Sequence, residues 1–297
     1  MGWRRRNLGI GSRGGVQGDA REGRGAGEGP GGGRVDRLNG ICGVPKRALL
    51  YGEGVFETFR WKGGRPVLLE KHYERMRRGA ELLGMPAPSW GDFTRAVEEA
   101  VHRSGGDDLR VKVCLLSDGS ADFSARPDSS RLICLTSPYR TPKEIVRVHL
   151  VSFPRNSRSP LVRIKSTNYL ENILGRREAE RLGFDEGVFV NERGEMAEGC
   201  TTNIFWLKGD RLFTPDEDCG LLPGITRGLL MSIAPELGLE VEIGRYGIDD
   251  VLEADCVLLT NAVVGVIGVS EMDGRRLRVD KKKLERIRRG VFSALGW

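Results

Sequence analysis

Strand-like and helix-like segments alternate from about residue 50 to the C terminus, and no apolar run reaches the roughly 18 residues a membrane helix needs. "LLYGEGVFETFRW" (49–61) reads as a strand entered through a Gly-rich turn, and Gly63-Gly64 as a hairpin turn into "PVLLE". "EKHYERMRRGAELLG" (70–84) predicts a helix, with Tyr73, Met76, Ala80 and Leu83 on one face. "SWGDFTRAVEEAVHRSG" predicts a second helix from a Ser cap, and "LRVKVCLLS" and "RLICLTS" predict strands. The first half is thus a small sheet with helices on it.

The polar stretch "FPRNSRSP" (153–160), with Pro near both ends, reads as a linker. Past it, "KSTNYLENILGRREAERLG" predicts a helix that buries Leu170, Ile173, Leu174 and Leu182 and stops at Gly183. Two hairpins follow ("EGVFVNERGEMAEG" and "NIFWLKGDRLFTP"), then a Pro-Gly turn feeding a helix ("GLLPGITRGLLMSIAPELG"). Apolar strands around a turn ("CVLLTNAVVGVIGVSEMDGRRL") and a terminal helix complete the chain. The expected organisation is a 1–34 tail, a small domain at 35–152, the linker, and a larger domain at 161–297.

The net charge of +6 is unevenly placed. Residues 1–34 hold seven Arg against Asp19, Glu22 and Glu28, a balance of +4, which leaves about +2 for the rest. With 13 Gly, that tail cannot bury a core and reads as disordered. It lacks the interleaved aromatics that stack on bases, so a nucleic-acid partner is not expected. Cys42, Cys114, Cys134, Cys200, Cys219 and Cys256 form no C-x-x-C, and His72, His102 and His149 are scattered. Neither a metal site nor a disulfide framework is expected, and reduced thiols in a cytoplasm fit better. No secretion signal opens the sequence.

Familiar nucleotide and hydrolase signatures are missing. Gly52-Glu53-Gly54 is followed by Glu57, so no G-x-G-x-x-G forms, and there is neither a G-K-[ST] loop nor a G-x-S-x-G elbow. Four other stretches carry possible chemistry, each with an ordinary reading beside it. Lys165 is either a surface lysine or an amine whose pKa falls in an apolar cleft, where it can condense with an aldehyde. Thr226, in "PGITRG", is either a helix cap or part of a phosphate-binding helix start. Glu198, in "AEGCTTNIF", is either a solvated hairpin acid or the partner of a protonated ring nitrogen. Arg75, in "HYERM", is either a solvated helix residue or a planar phosphate clamp.

The order of these stretches is more specific than any one of them. H-x-x-R, K-S-x-N-Y, E-G-x-x-x-N-I-F, L-P-G-I-T-R and L-T-N, in that sequence over roughly residues 38–275, resemble the class IV (fold type IV) pyridoxal-phosphate enzymes. That family includes branched-chain and D-amino acid aminotransferases and aminodeoxychorismate lyases. The resemblance implies a two-domain α/β (α+β mixed) fold with pyridoxal 5′-phosphate in the interdomain cleft and a homodimer. It implies that Lys165 bonds the cofactor, Glu198 pairs with its ring nitrogen, and Arg75, Ile225 and Thr226 hold its phosphate. Thr260 and Asn261 fall where another phosphate-side turn belongs, and Tyr169 where the ring hydroxyl finds a partner. Glu57, Phe56 and Arg60 fall on the substrate side, Arg60 facing a carboxylate. Within the family, "KSTNYLEN", "EGCTTNIF" and "LTNAVVGVIGV" are most similar to aminodeoxychorismate lyases, although Ala262 stands where Ser is common. The implied reaction turns 4-amino-4-deoxychorismate, a small amine, into 4-aminobenzoate and pyruvate in folate synthesis. The alternative is amino transfer from branched-chain L-amino acids or D-amino acids to 2-oxoglutarate. Phe56 replaces a Tyr associated with the D-amino acid enzymes.

Overall fold

Strand β1 (Gly54–Lys62) organises the N-terminal half. It pairs antiparallel with β2 (Asp108–Asp118), which pairs antiparallel with β3 (Ser129–Pro138). The structure, a computed structural model, describes residues 45–64, 66 and 68–297. The expected tail and Cys42 lie outside the described residues. The strand period of two puts Val55, Phe59, Trp61, Val111, Val113 and Leu115 on one face, where they pack in one core cluster. That face is covered by α2 (Leu69–Leu82), through Leu69, Met76 and Ala80, and by α3 (Trp90–Ser104), through Phe93 and Val97. Ser89 caps α3 by accepting from the Asp92 amide at 3.1 Å.

Two local expectations fail here. Residues 49–51 end a short helix, α1 (Lys46–Tyr51), because Gly52 at φ 63° closes it with an αL cap. Among the described residues no hairpin strand follows Gly64. The Leu69 amide donates to the Pro66 carbonyl, and the chain turns directly into α2. The pairing partner of β1 is instead β2.

The second sheet runs β6-β5-β4-β11-β10-β7-β8-β9, with β12 (Arg275–Arg276) paired to β11. Its strands are β4 (Ile145–Leu150), β5 (Glu186–Val190), β6 (Met196–Gly199), β7 (Asn203–Lys208), β8 (Arg211–Pro215), β9 (Glu240–Gly244), β10 (Cys256–Asn261) and β11 (Gly265–Met272). β5, β7 and β10 are buried on both faces, which is why they read as unbroken apolar runs. One face packs α5 (Ile225–Ile233) and α7 (Lys281–Leu295) through Leu230, Leu284, Ile287 and Val291. A short α6 (Ile248–Leu252) packs Val251 against the other face. The boundary expected at 152/153 falls one strand late, since β4 hydrogen-bonds in parallel to both β11 and β5. Among the described residues no helix is long and apolar enough to cross a membrane.

The helix after Lys165, α4 (Leu170–Arg181), corrects another expectation. Leu170, Ile173, Leu174 and Leu182 are 62%, 41%, 47% and 51% exposed, and the inward residues are Asn172, Gly175 and Ala179. The cause is close approach. A Cβ at Gly175 would lie 2.9 Å from Phe189 Cζ and Val151 Cγ2 and 3.0 Å from Cys200 Sγ. Large apolar groups cannot face the sheet here and turn outward. Gly175→Val should lower the unfolding free energy by about 3 kcal/mol through overpacking. A denaturant titration showing no loss would contradict that packing.

Candidate active site

The free edge of β1 lies along the segment that carries Lys165. The Phe56 amide donates to the Lys165 carbonyl at 2.8 Å, and the Thr167 amide to the Gly54 carbonyl at 2.9 Å. Farther along, the Arg60 amide donates to the Ala262 carbonyl in the β10–β11 turn at 3.1 Å. The small sheet, the lysine segment and the second sheet therefore meet along one seam. Lys165 itself lies outside any helix or strand, five residues before α4. Its Nζ is 4.6 Å from the Phe56 ring centroid and 5.1 Å from that of Tyr169, two rings that meet edge to face. Burial and the nearby Arg75 guanidinium bring the Lys165 ammonium down to about 8, against the opposing pull of Glu57 and Glu198. A useful fraction of neutral amine is then present near neutral pH.

Next to this segment is a cavity of about 250 Å³ lined by Arg155, Ser166, Tyr169, Asn172, Glu198 and Leu222, among others. Tyr169 joins cavity and lysine, and its hydroxyl donates to the Cys200 carbonyl at 3.1 Å. Burial pushes its phenol well above the ordinary range. Glu198, at the end of β6, accepts from the Leu222 amide at 3.0 Å and from Arg155 Nη2 at 3.2 Å. Burial pushes its carboxyl up to about 7, and Arg155 and the Leu222 amide pull against that. Arg155 was missed by sequence reasoning, since it lies inside the stretch that reads as a linker. It is 4% exposed, and its amide donates to the Val190 carbonyl.

A third cluster surrounds Arg75. Its Nε and Nη2 donate to the two Glu57 oxygens at 2.8 and 2.6 Å, and Nη1 donates to the Pro223 carbonyl at 3.2 Å. His72 Nδ1 lies 2.6 Å from the same carboxylate. Burial opposes ionisation of Glu57, but the charge and hydrogen bonds of Arg75, with help from His72, win and hold it down at about 2. Glu57 is thus buried on the core face of β1, beneath Arg75, and does not line the substrate side as expected. Phe56, one residue away, is on the opposite face.

Pro223 leads into α5, whose first-turn amides have no carbonyl above them within the helix. Asn203 braces this entry. Its Nδ2 donates to the Leu222 carbonyl at 2.9 Å, and its Oδ1 lies where a Gly224 Cβ would project. Asn203 pairs with Thr260 across β7 and β10. The Asn of E-G-x-x-x-N-I-F was visible in the motif, but its role was not. Thr226 Oγ1 and Thr260 Oγ1 are both buried without a hydrogen-bond partner among the described residues. Two orphaned hydroxyls near a helix start suit an oxyanion. The Asn261 side chain is committed to its own turn, accepting from the Val263 and Val264 amides and donating to the Thr201 carbonyl.

Arg60 does not present a free guanidinium. Asp108 takes it in two hydrogen bonds of 2.7 and 2.6 Å, and the Tyr139 ring covers it at 3.7 Å. The cation nearest Phe56 besides Lys165 is Lys112, whose Nζ is 4.3 Å from that ring. Sequence reasoning missed Lys112, although strand parity places it on the same face as Phe56 once β1 and β2 are in register.

Residues 54–272 match the family model described as amino-transferase class IV. The chain belongs to that family. It is an enzyme, and its cofactor is pyridoxal 5′-phosphate. Among its relatives is the aminodeoxychorismate lyase of Bacillus subtilis, 33% identical over 232 residues, spanning 76% of this chain and 79% of that one. A candidate branched-chain-amino-acid aminotransferase of Methanocaldococcus jannaschii is 29% identical over 250 residues, 81% of this chain and 86% of the other. A solved candidate 4-amino-4-deoxychorismate lyase from Legionella pneumophila matches with a TM-score of 0.79 at 30% identity, covering 85% of this chain and 94% of that chain. The fold is that of the class IV enzymes.

The residues present fit the cofactor. The two orphaned hydroxyls and the α5 amides suit its phosphate, Glu198 at the cavity suits its ring nitrogen, and Lys165 has the depressed pKa that attack on an aldehyde requires. A Thr226→Val variant should bind pyridoxal 5′-phosphate about 10–100-fold more weakly, the value of a hydrogen bond to a charged group. The cofactor-free variant should be no less stable than the parent, because the hydroxyl has no internal partner to lose. Unchanged cofactor affinity in a fluorescence titration would remove Thr226 from the phosphate site.

Proposed function

We propose that the enzyme is a lyase converting 4-amino-4-deoxychorismate to 4-aminobenzoate and pyruvate. The observation that carries this reading is the cationic strip beside the lysine. Arg110 and Lys112 follow each other at i and i+2 on the open face of the small sheet, and Lys112 borders Phe56 next to Lys165. The substrate bears one carboxylate on its ring and a second on the enolpyruvyl side chain, and two cations at strand spacing, about 7 Å apart, suit them. The likeness to aminodeoxychorismate lyases supports the same assignment. A second reading, amino transfer, is favoured by the branched-chain relatives and by the apolar Phe56 wall.

In this reading Lys165 would be the residue that holds the cofactor covalently. Arg75, the α5 amides at Ile225 and Thr226, and the Thr226 and Thr260 hydroxyls hold its phosphate. Glu198 and Tyr169 take its ring nitrogen and ring hydroxyl. When bound, the cofactor supplies an electron sink for the charge left on the amine-bearing carbon. Lys165 would be the base that removes the proton from that carbon. The C–O bond to the enolpyruvyl group then breaks, and the ring becomes aromatic. The enolpyruvate takes up a proton to leave as pyruvate. Lys112 and Arg110 fix the carboxylates so that the C–H bond stays within reach of Lys165.

We also infer that two copies pair through the exposed Leu170, Ile173 and Leu174 face of α4, beside the cavity mouth. Leu174→Arg should then convert a dimer to a monomer in sedimentation equilibrium, and an unchanged mass would exclude this face. The five described cysteines are free thiols, which suits a reducing compartment such as the cytoplasm. The function is tested by offering the cofactor-loaded enzyme enzymatically made aminodeoxychorismate and following 4-aminobenzoate fluorescence. Branched-chain L-amino acids and D-alanine with 2-oxoglutarate are offered in parallel. Aminobenzoate release with negligible amino transfer is expected. Brisk amino transfer without aminobenzoate would overturn the lyase reading.

A further inference from the structure

We propose that Arg155 is a positioning residue for this reaction, holding the Glu198 carboxyl ionised and oriented where it meets the cofactor ring. The proposal rests on Glu198 being the partner of the ring nitrogen. Arg155 follows β4 in the loop that crosses beneath the cavity, and its amide bond to the Val190 carbonyl and its bridge to Asn191 fix the backbone. The guanidinium lies over the Phe189 ring at 4.0 Å, with almost no exposure. Nη2 reaches Glu198 Oε1 at 3.2 Å, while Nη1 serves Glu171 at 3.0 Å and Asn172 Oδ1 at 3.3 Å. The Glu171 side chain is 60% exposed, so water screens it. The buried countercharge of Arg155 is therefore Glu198.

The geometry also fixes direction. One Glu198 oxygen is held by Arg155 and the other by the Leu222 amide at 3.0 Å, so the carboxyl plane cannot rotate. Its remaining lone pairs are left for a donor in the cavity that Arg155, Glu198, Tyr169 and Leu222 all line. The charged and titratable groups around Glu198 are Arg155, Lys165, Arg75 and Tyr169. Of the cations, Arg155 is the one in direct contact with the Glu198 carboxyl. A neutral Glu198 would compete poorly for the ring proton, and the ring would become a weaker electron sink.

The test compares Arg155→Met, Arg155→Lys and Glu198→Gln with the parent, using two readouts besides turnover. In the cofactor-free protein, carboxyl 13C shifts follow the Glu198 titration. In enzyme loaded with ring-15N pyridoxal phosphate, the 15N shift reports ring protonation. Arg155→Met should raise the Glu198 midpoint by about one to three pH units, the usual effect of losing a close opposite charge. It should also move the ring nitrogen toward the deprotonated shift seen in Glu198→Gln. Arg155→Lys should restore most of both. If Arg155→Met does not fold, Arg155→Gln keeps a donor, drops the charge and should show the same shifts. An unmoved Glu198 midpoint in a folded Arg155→Met or Arg155→Gln variant would overturn the proposal directly. A midpoint that moves while the 15N shift stays put, in Glu198→Gln as well, would overturn it by removing the ring-acid reading on which it rests.

Discussion

Lys165→Ala should lose the covalent cofactor attachment altogether, and turnover should fall by about 1,000-fold or more. In the proposed mechanism two roles would disappear together, the bond to the cofactor and the base at the amine-bearing carbon, and positioned bases alone contribute about 10²–10⁴. The visible absorbance of the bound cofactor should shift to that of non-covalently held pyridoxal phosphate. Lys165→Arg should not rescue either property, because guanidinium remains charged at any working pH. The environment explains why this lysine is suited to both roles. Two aromatic rings flank its amine at 4.6 and 5.1 Å, and burial with Arg75 brings it to about 8. A variant that kept the covalent spectrum would place the attachment on another lysine.

Arg75→Ala should cost about 3–5 kcal/mol of folding stability, in addition to weakening phosphate binding. The Arg75 guanidinium is the main countercharge of Glu57, which is fully buried. Without it the carboxylate is left with His72, whose ring burial keeps toward the neutral form. The pH dependence has a definite sign. Glu57 titrates near 2 in the folded protein, below its ordinary 4.5, so its contribution is fully present above about pH 4.5. That contribution is lost as the pH falls toward 2. The deficit of Arg75→Ala relative to the parent should therefore be largest at neutral pH and should shrink below pH 4.5. Denaturant titrations at pH 7 and pH 3 measure this directly. A deficit under about 1 kcal/mol at pH 7, or one that grows in acid, would contradict the buried pair.

The parts of the site that were legible in the sequence are those whose chemistry is tied to a local turn. Lys165, Glu198 and the Pro223–Thr226 entry to α5 each sit in a short motif. The structure brings Arg75 to the last of these through the Pro223 carbonyl. What escaped was whatever depends on distant packing. Arg155 reads as a solvated linker residue because its partner Glu198 is 43 positions away and nothing local demands its burial. β4 was unread because six residues with two charged or polar interruptions give little period, and only its neighbours β5 and β11 make it a central strand. Leu170, Ile173 and Leu174 have a helical apolar stripe, but the stripe names a face without saying what covers it. Gly175 turns that face away from the sheet. Glu57 was misplaced for a simpler reason. Parity along β1 puts it with Val55 and Phe59 on the core side, whereas Phe56 faces Lys112 and Lys165.

If this seam holds pyridoxal phosphate as proposed, one particular lysine carries it. Borohydride reduction of the cofactor-loaded enzyme, followed by proteolysis and peptide mass spectrometry, tests it most directly. A single phosphopyridoxyl adduct on the peptide containing Lys165 is expected. An adduct on Lys112 or any other lysine, with Lys165 unmodified, would contradict it.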